Sequence, residues 1–69
     1  MVTHMTVESE LPPSLGKVAL RELALNGITG YDQLVSHTPE ELLSMHGVGP
    51  KAVRILTEEL ARRGLRFGE

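Results

Sequence analysis

Residues 42–53 read Leu42-Leu43-Ser44-Met45-His46-Gly47-Val48-Gly49-Pro50-Lys51-Ala52-Val53. Two glycines bracket one apolar residue, and the proline after them suits the first position of a helix. Glycine permits φ values that a side chain resists, so Gly47 and Gly49 are expected to carry a sharp reversal while Val48 plugs the turn into a core. The helix starting at Pro50 has amides without an intrahelical acceptor and a positive dipole end. Together these suit a phosphate, and Lys51 stands beside them.

Working outward, the segment from Pro50 to Arg63 places Val53, Leu56 and Leu60 at helical spacings of three and four. Gly64 fits a left-handed stop, after which Leu65 can return toward Leu60. On the other side, Thr38-Pro39-Glu40-Glu41 supplies a capping threonine, a proline at the first helical position and an acid at the third, with Leu42, Leu43 and Met45 turned inward. A short helix is predicted from Gly30 or Tyr31 to Val35, capped by Thr29 with Asp32 nearby. Another is predicted from a Ser14 cap to Leu25, with Ala19, Leu20, Leu23 and Ala24 on one stripe, Lys17 and Arg21 off it, and Asn26-Gly27 as the stop. Residues 1–13 lack periodicity and end in Pro12-Pro13, which predicts a flexible tail. The expected architecture is all-α, a compact domain of four to five helices over residues 14–69.

Sixty-nine residues support one modest core, and with a single Tyr and a single Phe that core has to be aliphatic. The chain has no cysteine, so neither a disulfide nor a thiolate metal site contributes to stability. No apolar run reaches bilayer length, and the expectation is a soluble cytoplasmic protein without membrane contact. A net charge of −2 argues against a protein that coats nucleic acid through its overall field. The distribution is uneven, however. Residues 45–69 carry five basic and three acidic side chains, whereas residues 1–44 carry two and six, so the glycine turn lies at the positive end.

Chemistry has little to work with. His4, His37 and His46 form no ligand set, Ser14, Ser36 and Ser44 have no positioned base, and Glu40-Glu41 belong to the cap. Gly16 and Gly30 match no nucleotide-binding fingerprint. We expect no enzyme, metal, cofactor or small-molecule substrate. In the last helix Glu58 and Glu59 stand four residues before Arg62 and Arg63, a spacing that ties those arginines into surface pairs.

The residues of the turn resemble a helix-hairpin-helix motif, and from Ser14 to Gly68 the chain is similar to the C-terminal domain of the bacterial RNA polymerase α subunit, a fold of the SAM-like kind. The resemblance rests on Glu41-Leu42-Leu43, the Gly47-Val48-Gly49 turn, Lys51, and Glu59-Leu60 leading to Arg63-Gly64-Leu65. It implies DNA held at the minor groove by the start of the first helix, the hairpin and the start of the last helix, in a transcription setting. Gly49 and Lys51 match the hairpin positions. The family's groove-entering arginine falls on Val18, its nearby asparagine on Arg21, and the serine after its lysine on Ala52.

Two functions follow from these residues. One is weak, sequence-independent binding of the DNA backbone by Gly47, Val48 and Gly49, with Lys51 and Arg54, assisted by Arg21, Lys17 and His46. The other is a protein-interaction module of the same fold, docking through Val18 and Leu25 with Met45 as neighbour. The valine at position 18 favours the second, and the hairpin favours the first.

Overall fold

With aromatic side chains scarce, leucine and isoleucine close the interior: Leu23, Ile28, Leu34, Leu42, Leu56 and Leu60 are fully buried, and among the described residues no polar or charged side chain is buried with them. The computed structural model describes residues 9–68. They form a 3-10 turn (Pro13–Leu15) and four helices, α1 (Lys17–Leu25), α2 (Tyr31–Leu34), α3 (Pro39–Leu43) and α4 (Pro50–Arg62). No strand occurs among the described residues.

Each boundary has a local cause. Helix α1 stops at Asn26-Gly27 because Gly27 takes φ +79°, which lets the Gly27 amide donate to the Ala24 carbonyl and the Ile28 amide to the Leu23 carbonyl at 2.9 and 2.8 Å. Leu23 and Ile28, joined by that hydrogen bond, are both core residues. Helix α3 carries the expected capping box. The Glu41 amide donates to Thr38 Oγ1 at 3.2 Å, and the Thr38 amide donates to Glu41 Oε1 at 2.8 Å. Helix α4 begins with Pro50 and ends with the Leu65 amide donating to the Leu60 carbonyl at 2.8 Å. Its buried line is Ala52, Leu56 and Leu60, with Val53 half-buried alongside.

Several expectations change. Leu43, expected to turn inward with Leu42 and Met45, is 45% exposed, whereas Leu42 is fully buried. The segment read as a tail reaches into the core, because Leu11 is 4% exposed and the Glu10 amide donates to the Thr29 carbonyl at 2.7 Å. The segment is therefore anchored at Leu11, although Ser9, Glu10 and Pro13 stay exposed, and its remainder, residues 1–8, lies outside the described residues. A lone leucine has no period to betray it, yet burying one is worth about 2 kcal/mol. Ser14 caps nothing, since Pro13 starts a 3-10 turn closed by the Leu15 and Gly16 amides, and Gly16 at φ +91° separates this turn from α1. Helix α2 is capped at Gly30 and not at Thr29. Gln33 Oε1 reaches back to accept from the Gly30 and Thr29 amides at 2.7 and 3.2 Å, leaving the Thr29 hydroxyl no part in the cap.

The charges of α4 also settle differently. Glu59 takes both arginines, Arg63 at 2.8 Å and Arg62 at 3.7 Å, so the expected Glu58–Arg62 pair does not form. Arg63 also lies over the Tyr31 ring, 3.9 Å from its centroid, which ties the end of α4 to the start of α2. The hydrogen bond from Arg63 holds the Glu59 carboxyl below its ordinary pKa, and burial pushes the Tyr31 phenol above its own. The final residues return beside α2, where the Gly68 amide donates to the His37 carbonyl at 2.8 Å and Phe67 packs on the core.

Replacing Leu56 with alanine should cost about 3 kcal/mol. In a domain whose total stability is roughly 5 kcal/mol, that lowers the melting temperature by about 15 °C or more. Leu25→Ala, at a side chain 72% exposed, should move it by less than about 4 °C. Thermal unfolding followed by circular dichroism reads both, and equal shifts would contradict this core.

Candidate nucleic-acid interface

Between α3 and α4 the chain reverses over Ser44 to Gly49, and the bonds made there decide which donors remain. Ser44 stays with α3, donating its amide to the Glu40 carbonyl at 3.2 Å and its hydroxyl to the Glu41 carbonyl at 2.6 Å. The Met45 amide donates to Leu42 at 3.0 Å and the Val48 amide to Met45 at 3.2 Å. Gly47 then takes φ +83°, and Val48, 4% exposed, inserts into the core as the plug the sequence predicts. Gly49 is the residue before α4, and its carbonyl accepts the Val53 amide at 3.1 Å.

Pro50 has no amide hydrogen, and the amides of Gly49, Lys51 and Ala52 make no hydrogen bond among the described residues. They stand at the positive end of a helix of 13 residues. The expected donor set is thereby corrected at one position: the Val48 amide is committed to Met45, and the Ala52 amide replaces it. The turn opens onto a shallow depression of about 250 Å³, bordered by Gly47, Gly49, Lys51 and Ala52 on one side and by Ser14 and Leu15 of the 3-10 turn on the other. Ser14 is exposed, and its hydroxyl makes no hydrogen bond among those described, so it adds a donor that sequence reasoning spent on a helix cap. Only the packing of the 3-10 turn on α4 brings it here.

Charge around the depression is modest. Lys51 and Arg54, three apart on α4, are exposed, and neither forms an ion pair among the described residues. His46 is exposed at the rim of the turn. Lys17 and Arg21 take a different place from the one expected. The flank of α1 that meets the hairpin presents Val18 and Glu22, whose Cγ lies 3.6 Å from where a Cβ on Gly47 would stand. Lys17 and Arg21 instead line a groove with Leu20, Ala24 and Leu25. The reason is helical phase: Lys17 and Arg21 share one stripe of α1, and Val18 and Glu22 share the next.

The two turn glycines also differ from expectation. Gly49 has φ −107° and ψ −176°, ordinary extended backbone, and a Cβ there would meet no atom within 4 Å. Gly47 has the left-handed φ, and a Cβ on it would overlap the Val18 Cγ1 methyl. Gly47→Ala should therefore cost about 2 kcal/mol or more from backbone and overlap together, whereas Gly49→Ala should stay within about 0.5 kcal/mol of the parent. Adding Val18→Ala to Gly47→Ala should restore the overlap part only. Urea unfolding of the three variants checks the order, and a Gly49 variant as damaged as the Gly47 one would refute it.

No helix among the described residues is long and apolar enough to cross a membrane, and no group of three or more His, Asp or Glu side chains there can hold a metal ion. Comparison with protein-family models, curated proteins and solved structures found no match.

Proposed function

We propose that this chain is a non-enzymatic helix-hairpin-helix module, of the kind found at the C-terminus of the polymerase α subunit, that binds the DNA backbone through its α3–α4 hairpin. The observation that carries the reading is the set of unbonded Gly49, Lys51 and Ala52 amides at the start of α4. They lie beside the Lys51 ammonium and across from the Ser14 hydroxyl. A phosphate oxygen accepts from amides, hydroxyl and ammonium alike, and Gly49, open on its outer side, lets a sugar-phosphate strand approach closely.

The same geometry limits the interaction. One cation, Lys51, lines the site, with the exposed Arg54 three residues further along α4, and the neighbouring flank of α1 contributes the neutral Val18 and the acidic Glu22. No base-reading side chain stands at Val18, so contact is confined to the backbone, with affinity that is sequence-tolerant and falls with salt. In the resembling family an arginine occupies that position. Here groove entry is replaced by phosphate capture alone.

Titration of the full chain with duplex DNA, followed by amide chemical shifts at low salt, should move Gly47, Gly49, Lys51, Ala52 and Arg54 and fade at moderate salt. Lys51→Gln should weaken binding severalfold and reduce the salt slope by about 1. Silence of the hairpin amides at low salt would reject the reading. An undiminished Lys51→Gln affinity would remove the lysine from it.

A further inference from the structure

Helix α1 presents a second, chemically different surface away from the hairpin. Its outer face carries two neighbouring rows, Lys17-Arg21-Leu25 at spacings of four and Leu20-Ala24 beside it. With Ser9 from the preceding segment these side chains line a groove of about 380 Å³, within the range that accommodates a bound apolar group. The floor is aliphatic and the rim is cationic. Among the described residues no carboxylate lines it, and Lys17 and Arg21 form no ion pair there.

Two features distinguish this face. Leu25 leaves 72% of its surface in water although six other leucines and isoleucines of the chain are completely covered. Lys17 is the first residue of α1, and no acid lies in that first turn. A helix start favours carboxylates, so a lysine there works against the dipole. In a chain of net charge −2, two of the cations left without a carboxylate partner are gathered around one apolar groove.

We propose that this face docks an acidic amphipathic helix of a partner protein. Its leucine-sized side chains enter the groove over Leu20, Ala24 and Leu25, while its carboxylates meet Lys17 and Arg21. The aliphatic floor decides against nucleic acid, because a phosphate strand gains nothing from covering leucine, whereas an amphipathic helix buries its own apolar stripe there. The charge of the rim selects the acidic sequence over a basic one.

The test uses the full chain and a synthetic peptide of about 14 residues with leucine at positions i, i+3, i+4 and i+7 and glutamate elsewhere. A second peptide carries lysine in place of every glutamate. Amide shifts at Lys17, Leu20, Arg21, Ala24 and Leu25, with the acidic peptide binding at least about fivefold tighter than the basic one, would support the proposal. Arg21→Glu should then weaken the acidic peptide by about tenfold, since it turns one attraction into a repulsion. Leu25→Ser should weaken both peptides. Both substitutions are at exposed side chains, and an unchanged amide spectrum elsewhere verifies the fold. Equal binding of the two peptides, or no shift at millimolar peptide, would overturn it. Duplex DNA or vesicles containing anionic phospholipid moving these amides while the acidic peptide does not would also overturn it, assigning the face to nucleic acid or membrane. The hairpin amides report separately, so failure of DNA binding leaves this result unaffected.

Discussion

The contact between Gly47 and Val18 is the constraint on which the rest depends. At φ +83°, with no side chain of its own, Gly47 lets the α3–α4 reversal come down onto the Val18 methyl of α1. That one approach settles several things together. It turns Val48 inward, closing the core between α3 and α4, and brings α1 against the hairpin. It also leaves α4 to start at Pro50 with its first amides unbonded. Any side chain at position 47 would push on α1 and on the hairpin at once.

Two surfaces of α1 follow from the same docking. Its buried stripe, Ala19 and Leu23, faces the core; Val18 and Glu22 face the hairpin; Lys17 and Arg21 are left on the outer groove. Because each stripe is one helical step from the next, rotating α1 by a single residue would bring Lys17 and Arg21 to the hairpin and drive Val18 and Glu22 toward the core. The rotation is fixed by Leu23, which is fully buried and whose carbonyl accepts the Ile28 amide in the turn that ends the helix.

Much of this architecture is legible in residue order, and the parts that are not share a physical cause. The Thr38-to-Glu41 capping box, the stops at Gly27 and Gly64, the Pro50 start and the Val48 plug are all local. Each is decided by a few neighbouring residues whose chemistry leaves little choice, and each is found in place. The burial of Leu11, the release of Ser14 from capping and the separation of Lys17 and Arg21 from the hairpin depend on which elements meet in space. Composition and spacing do not encode that. The two glycines show the boundary most clearly, since Gly47 and Gly49 look equivalent in order, yet only Gly47 has a left-handed backbone and a neighbour against its bare Cα.

The charge arrangement points the same way. Five basic residues between 45 and 69 put the turn at the positive end of the chain, and their spacing already assigns Arg62 and Arg63 to glutamates of α4. In space Arg62 and Arg63 are drawn onto Glu59, and Arg63 is held further by the Tyr31 ring. A cation bound in this manner helps hold α4 against α2 and contributes little to an anionic ligand. The cations at the hairpin, Lys51 and Arg54, act beside amides that no protein acceptor takes. The anion binding proposed for this turn therefore rests on the unbonded Gly49, Lys51 and Ala52 amides first and on net charge second. Binding proposed on that basis is compatible with a chain that has more carboxylates than ammonium and guanidinium groups.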